Sequence, residues 1–488
     1  VPIEQIPGDF IAWSTPHAAP HTLVTSALSA LPYFHTLSPD LKTWHHRPTV
    51  VDCLHASARP WEWNDEAAMS VLLLGHTHGT QTLAKSVSRV PAASQITFDQ
   101  GQLSSTPLSS SPTLLPMSDA EIIDEISDLL VTIVRDISLG APTALSLSAG
   151  YDSRLLLAIL LHLGLRPTLA TMGTTESTDV AVASRIAKDV DLPHRQVSLD
   201  PKDYLLHARE IVQLTSGTKT ADNWHTYLFA REAGFDPSAI HWAGSNGEFV
   251  RSYYFDKGCL ALASQMAPSQ LAARFLTLKN SIARRLPPTG GKGLLTDRAL
   301  ATSVLASISA RVPKHTNWLQ ALDEFYAFER VRHFIGNGLA LYNRFNRTFS
   351  PFLDGRFLQL ARRLPRKWKL NSRLHRTLIE RFCPKLLDYP VAADGIPMRA
   401  LNKAGSWLRR QPVTGYSVFG QVCDLPEFIE IIQESPHLDH FLDRKSRSLA
   451  LQNKRSGLLG ALLAFHHAGI LREEHNRSIS MPQNSPVA

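Results

Sequence analysis

The segment Leu145-Ser146-Leu147-Ser148-Ala149-Gly150-Tyr151-Asp152-Ser153-Arg154 decides how this chain is read. An apolar run before it, Thr143 to Leu147, reads as a buried strand, and Leu155 to Leu163 after it reads as a helix. A strand, a small-residue turn carrying Ser and Asp, and then a helix is one way an α/β sheet binds phosphate. Backbone N–H groups at the helix N-terminus face the anion, and glycine lets the chain approach it closely. No Gly-Lys-Ser/Thr follows, so this is not the P-loop of kinases and GTPases. Asp152 suits a hard divalent cation bridging phosphates, which wants carboxylate oxygen. The same residues also suit a Ser or Asx turn capping an ordinary helix.

Outward from the loop the pattern alternates. Thr168 to Met172 reads as a second strand, Asp179 to Val190 as a second helix and Arg195 to Leu199 as a third strand. The fold class is therefore α/β, a parallel sheet with flanking helices, and its ligand belongs at the carboxyl ends of the strands. Upstream, Ser118 caps an amphipathic helix with Ile122, Ile123, Ile126, Leu129, Leu130, Ile133 and Ile137 at helical spacing. Residues 101–118, rich in Ser and Pro, read as a linker. Before them, Phe10 to Trp13, Thr49 to Leu54, Ser70 to Leu74 and Gln95 to Phe98 read as strands of a small, mostly β domain. From about 260 the chain reads as mainly helical (Leu260 to Leu276, Leu300 to Ile308, Phe325 to Leu341), and its polar end as disordered. The expected division is 1–110, 119–475 and a tail 476–488.

At 488 residues the chain can bury sizeable cores, and with 44% hydrophobic and 19% charged residues its composition is globular. The longest apolar run, Leu155 to Leu161, is far below the ~20 residues of a membrane span. Val1-Pro2-Ile3-Glu4 lacks a signal-peptide pattern. Cys53, Cys259, Cys383 and Cys423 are widely separated, arguing against a zinc site or disulfide framework and for the cytoplasm. The net charge of +7 and the run Arg362-Arg363-Leu364-Pro365-Arg366-Lys367 come with no nucleic-acid fold motif, so no nucleic-acid partner is expected. His76-Thr77-His78 and His466-His467 lack carboxylate or cysteine at metal-ligand spacing and read as structural.

A cation bridging pyrophosphate needs a second carboxylate. Ile240-His241-Trp242-Ala243-Gly244-Ser245-Asn246-Gly247-Glu248 is an apolar strand ending in a small-residue turn with one acid, although a helix N-terminus with Glu in its first turn reads the same way. The Ser148–Ser153 loop resembles the Ser-Gly-Gly-x-Asp-Ser loop of the ATP pyrophosphatases, with Ala149 replacing a glycine. Taken together, the segments resemble the synthetase domain of the asparagine synthetase family. Thr171-Met172-Gly173, Ser177-Thr178-Asp179 and Leu192-Pro193-His194 extend the likeness. Ile335-Gly336-Asn337-Gly338, Ser350-Pro351-Phe352-Leu353-Asp354 and Ala361-Arg362-Arg363-Leu364-Pro365 carry it to about residue 400. The resemblance implies that Ser148, Gly150, Asp152 and Ser153 hold the pyrophosphate of ATP. It implies too that Asp152 and Glu248 hold Mg²⁺ and act in catalysis, and that Met172, Ala243 and Gly244 contact the adenosine. Glu248 stands where asparagine synthetases have an aspartate.

Two departures narrow the expectation. Gly8-Asp9-Phe10-Ile11-Ala12-Trp13, and Thr82-Leu83 through Arg89-Val90-Pro91 and Ile96-Thr97, resemble the later part of the family's glutamine amidotransferase domain. The N-terminal catalytic cysteine has no counterpart, because residue 1 is Val and the first cysteine is Cys53. Release of ammonia from glutamine needs that thiolate, so glutamine hydrolysis is not expected. Asparagine and β-lactam synthetases also carry a lysine about where Val391 stands. The Pro390-x(4)-Gly395-Ile396-Pro397 pattern with Arg399, and Gly244-Ser245-Asn246-Gly247-Glu248, instead resemble the cyclases of lasso-peptide biosynthesis. That likeness implies an ATP-dependent, AMP-forming C–N ligase that joins an Asp or Glu side chain of a ribosomal precursor peptide to its N-terminal amine. A leader-processing peptidase or leader-binding protein would then be a partner. The alternatives are an asparagine-synthetase-like ligase using ammonia or a small amine without glutaminase activity, and a catalytically silent scaffold.

Overall fold

The computed structural model describes residues 6–15, 20–108, 117–253, 291–311, 318–391, 398 and 416–480. Among the described residues the N-terminal region has seven strands: β1 (Ile11–Ser14), β2 (His21–Thr25), β3 (Phe34–Leu37), β4 (Trp44–Arg47), β5 (Ser88–Arg89), β6 (Ser94–Asp99) and β7 (Gln102–Pro107). They form two antiparallel sheets, in the orders β1-β2-β6-β7 and β4-β3-β5. Two stretches expected as strands are helices instead, α1 (Val50–Ser57) and α2 (Asp65–Leu74). Their caps decide it. The Thr49 side chain accepts from the Asp52 N–H and Asn64 from the Ala67 N–H, and left-handed Ala58 and Gly75 end the helices. β7 lies inside the stretch read as a linker, where Ser and Thr suit a solvent-facing edge strand paired to β6 from Ser94↔Pro107 to Asp99↔Gln102.

The second region opens with α3 (Asp119–Ser138), whose N-terminus is a reciprocal capping box between Ser118 and Glu121. Then come β8 (Thr143–Ser146), α4 (Tyr151–His162), β9 (Thr168–Met172), α5 (Thr178–Asp189), β10 (His194–Val197), β11 (Ile240–Trp242) and β12 (Arg347–Phe349). All five strands are parallel, in the order β10-β9-β8-β11-β12. β12 had no clear sequence signal. Leu145 pairs with Leu169 on one side and Trp242 on the other, so β8 is central and its Ala144 and Leu145 are fully buried. From β8 the chain adds strands first in one direction and then in the other. The loops after β8 and β11 therefore diverge at a topological switch point, the place where such sheets bind ligands.

Among the described residues the C-terminal half is mainly helical, as expected, and one element was not legible: Tyr326–Ile335 is a π-helix between the helices Trp318–Phe325 and Gly336–Tyr342. The expected helix at 260–276 lies outside the described residues. The final helix, Ser456–Ser480, corrects the expectation that disorder begins at 476. Its end is tied down where the Trp61 N–H donates to Asn476 Oδ1 (2.8 Å) and Asn476 Nδ2 donates to the Trp61 carbonyl (3.2 Å); residues 481–488 lie outside the description. α1, α2 and the C-terminal helices share one core, while the four-stranded sheet has a small cluster of its own around Leu23, Val90 and Ile96. No helix among the described residues is long and apolar enough to cross a membrane.

Candidate active site

The loop after β8 is a cage of short hydrogen bonds. The Ser148 N–H donates to Ser153 Oγ (3.1 Å), the two serine hydroxyls lie 3.0 Å apart, and the Gly150 N–H donates to Ser148 Oγ (3.1 Å). The Ala149 N–H donates to Asp179 Oδ1 (2.7 Å) from the first turn of α5. Gly150 is the N-cap of α4, which sets Asp152 in the first turn of that helix. Arg154, fully buried, donates to the carbonyls of Ala149, Leu386, Tyr389 and Pro390 and so ties the loop to the 386–390 segment. Burial brings its pKa down to about 10.

The loop after β11 presses against this cage. A Cβ on Gly244 would stand 2.9 Å from the Ser153 nitrogen, and one on Gly247 would overlap the Asp152 carboxylate. Glycine is required at both positions by this close approach. Asn246 between them adopts a left-handed conformation (φ 73°) and its Nδ2 donates to the Phe352 carbonyl (2.7 Å). A short helical segment, Gly247–Arg251, then carries Glu248 and Arg251.

Asp152 and Glu248 meet through Arg251, whose Nη2 lies 2.7 Å from Asp152 Oδ2 and 3.7 Å from Glu248 Oε1. On the other side, His375 Nε2 lies 2.7 Å from Asp152 Oδ1, and Tyr326 Oη donates to Glu248 Oε2 (3.3 Å). Burial opposes the Asp152 charge, but Arg251 and His375 outweigh it and hold the carboxyl below its ordinary range. Glu248 is pushed up, first by burial and then by the neighbouring Asp152 charge. The Asp152 charge raises the cost of charging Glu248, and the Arg251 guanidinium beside both shows that positive charge is favoured at this place. The donor set therefore fits a hard divalent ion. Among the described residues no third His, Cys, Asp or Glu joins them in a metal-ligating group. Two carboxylates suit Mg²⁺, which takes one or two from the protein and fills its remaining positions with phosphate oxygen and water.

The expected site residues are brought together. Ser148, Gly150, Asp152, Ser153, Met172, Ala243, Gly244 and Glu248 all line one open cavity of about 630 Å³. Its far wall comes from the helical half through Ile335 and Tyr342, and Val391 closes another side. Gly395, Ile396, Pro397 and Arg399 lie outside the described residues. Sequence reading missed Arg251, His375, Tyr326 and Arg154. Arg154 had a signal, a lone cation inside an apolar helix run; Arg251 sits one turn after Glu248; His375 and Tyr326 arrive from distant segments with none. Cys53 is fully buried in α1, and burial pushes its thiol up to about 12, so it supplies no thiolate. The paired histidines are structural: His78 Nδ1 meets Ser70 Oγ at 2.9 Å and His466 Nδ1 meets Ser435 Oγ at 2.7 Å.

No curated protein sequence matches the chain. Among solved structures it is similar to an NMN synthetase from Francisella tularensis, at 14% identity over 43% of this chain and 94% of that one, with a TM-score of 0.22. Residues 125–242, which carry β8 to β11 and the Asp152 loop, match the family model of asparagine synthase, and this supports an ATP-dependent, amide-forming ligase in general terms.

Proposed function

We propose that the chain is an AMP- and pyrophosphate-forming macrolactam cyclase of the lasso-peptide type. It adenylates an Asp or Glu side chain of a ribosomal precursor peptide and joins it to the peptide's N-terminal amine. The observation that carries this reading is the Asp152–Arg251–Glu248 constellation over the Ser148–Ser153 cage, in an open cavity.

The peptide carboxylate attacks the α-phosphorus of ATP, the bond to the β-phosphate breaks, and pyrophosphate leaves. Asp152 and Glu248 would hold Mg²⁺, which when bound supplies Lewis-acid stabilisation of the departing charge. The N–H groups of Ser148, Ala149 and Gly150 are spent on Ser153, Asp179 and Ser148, so the first turn of α4 would meet the phosphates, with Arg251, which lines the same cavity, beside it. The amine then attacks the acyl carbon, AMP leaves with the bonding pair, and the amine's proton passes to water. Holding amine and activated carbonyl together is worth ~7–11 kcal/mol in such reactions. An α-amine titrates near pH 8, so a useful fraction is already uncharged at neutral pH.

The cavity volume is that of a site for a cofactor-sized ligand, and its open mouth suits an acceptor tethered to a chain. The test is product mass from ATP with aspartate plus ammonia, set against ATP with a peptide bearing a free N-terminus and an internal Asp or Glu. Asparagine from the first mixture and no product from the second would favour the small-amine alternative.

A further inference from the structure

Lys219 lies just behind the cavity wall and is 3% exposed. Its Nζ is 3.5 Å from the Phe334 carbonyl and 4.3 Å from the centre of the Phe334 ring, and neither contact is a carboxylate. Phe334 immediately precedes the cavity-lining Ile335. A Cβ on Gly338 would stand 3.5 Å from Lys219 Nζ and 3.8 Å from Cγ2 of Thr226, a second lining residue. The charges around the amine come from three elements. Asp222 favours its cationic form, Arg330 of the π-helix disfavours it, and His225, a third lining residue, is coupled to it and brought down to about 4, chiefly by its own burial. Arg330 sits 4.4 Å from the same Phe334 ring.

Among the described residues no carboxylate is in ion-pair contact with this amine, and Asp222 acts on it only from a distance; a buried amine so placed destabilises a fold, and methionine, of similar volume, would pack there without that penalty. Its presence beside an anion-binding cavity therefore asks for a use. We propose that Lys219 is a positioning residue of this cavity: lodged behind the wall that Thr226 and Ile335 form, it takes up a proton when an anionic nucleotide fills the cavity, and then holds a fixed positive charge toward it. The inference rests on the nucleotide reading above and extends it to a residue that does not touch the ligand. Burial brings the amine's pKa down to about 7 in the free protein, so near pH 8 it is mostly uncharged and poised to respond. By linkage, each pKa unit that the nucleotide adds to Lys219 makes the protonated form bind the nucleotide tenfold more tightly than the uncharged form does.

The probe is Mg-ATP, titrated calorimetrically near pH 8 into the full chain in two buffers of different ionisation heat. The wild type is expected to take up a substantial fraction of a proton on binding. Lys219→Met should lose that uptake and bind more weakly near pH 8, about twofold for a rise of one pKa unit and about tenfold for two, whereas Lys219→Arg, charged throughout, should bind at least as tightly as the wild type without uptake. Thermal unfolding checks the fold independently. The unfolded chain binds the lysine proton up to its ordinary range near 10.5 and the folded chain only below about 7. Wild-type stability should therefore gain a component that rises with pH between those values, and Lys219→Met should lack it. Proton uptake and affinity unchanged in a well-folded Lys219→Met protein would overturn the inference and leave the nucleotide site standing. Failure of the wild type to bind Mg-ATP would overturn both.

Discussion

At the scale of single residues, the account turns on what Asp152 and Glu248 do as charges. Asp152→Asn keeps the shape of the side chain but removes the charge that Arg251 and His375 surround. AMP formation should fall at least ~100-fold, the scale of losing one electrostatic stabiliser. Glu248→Gln should behave likewise, with Glu248→Asp milder; both can be followed by AMP release in the presence of peptide. Full activity of Glu248→Gln would move the second carboxylate elsewhere. Cys53 offers the opposite test. Its thiol is enclosed among core residues and pushed up to about 12. Cys53→Ala should therefore keep ligase activity at a stability cost below about 2 kcal/mol, read by chemical denaturation. Glutamine hydrolysis by the parent that vanishes in this variant would contradict a catalytically silent N-terminal region.

At the scale of elements, the contact between two loops makes the site. Gly247→Ala puts a methyl group into the Asp152 carboxylate, so it should cut activity strongly while far-ultraviolet circular dichroism stays native. Wild-type rates in Gly247→Ala would mean that the loops are not held this closely. The strands and helices from 118 to 199 were legible from their apolar runs and their alternation, and α3 also from its cap, Ser118 with Glu121; α4 and α5 have no side-chain cap. α1 and α2 were misread because short apolar runs fit strand and helix equally well, and only the caps at Thr49 and Asn64 separate them. Of the site, the two loops could be read from local composition, whereas His375 and Tyr326 could not. The first packs against α4 from the helix Arg373–Phe382, and the second is delivered by a π-helix, a geometry without a sequence period of its own.

At the scale of the whole molecule, the N-terminal region is built into the region that carries the cavity. Arg332 of the π-helix donates to the Ser29 and Val90 carbonyls, the Gly79 N–H donates to Glu329, and the backbone carbonyl of Ala30 lies where a Cβ on Gly336 would be. This packing buttresses the π-helix that brings Tyr326 to Glu248 and Ile335 to the cavity. The central claim is that the cavity joins a peptide's own amine to its own activated carboxylate. The most direct measurement is mass spectrometry of a peptide with a free N-terminus and an internal Asp or Glu, incubated with the protein, ATP and Mg²⁺, with AMP quantified alongside. The account predicts loss of one water from the peptide for each AMP formed, abolished by acetylating the N-terminus. AMP formation with an unchanged peptide mass, or water loss that survives acetylation, would contradict it.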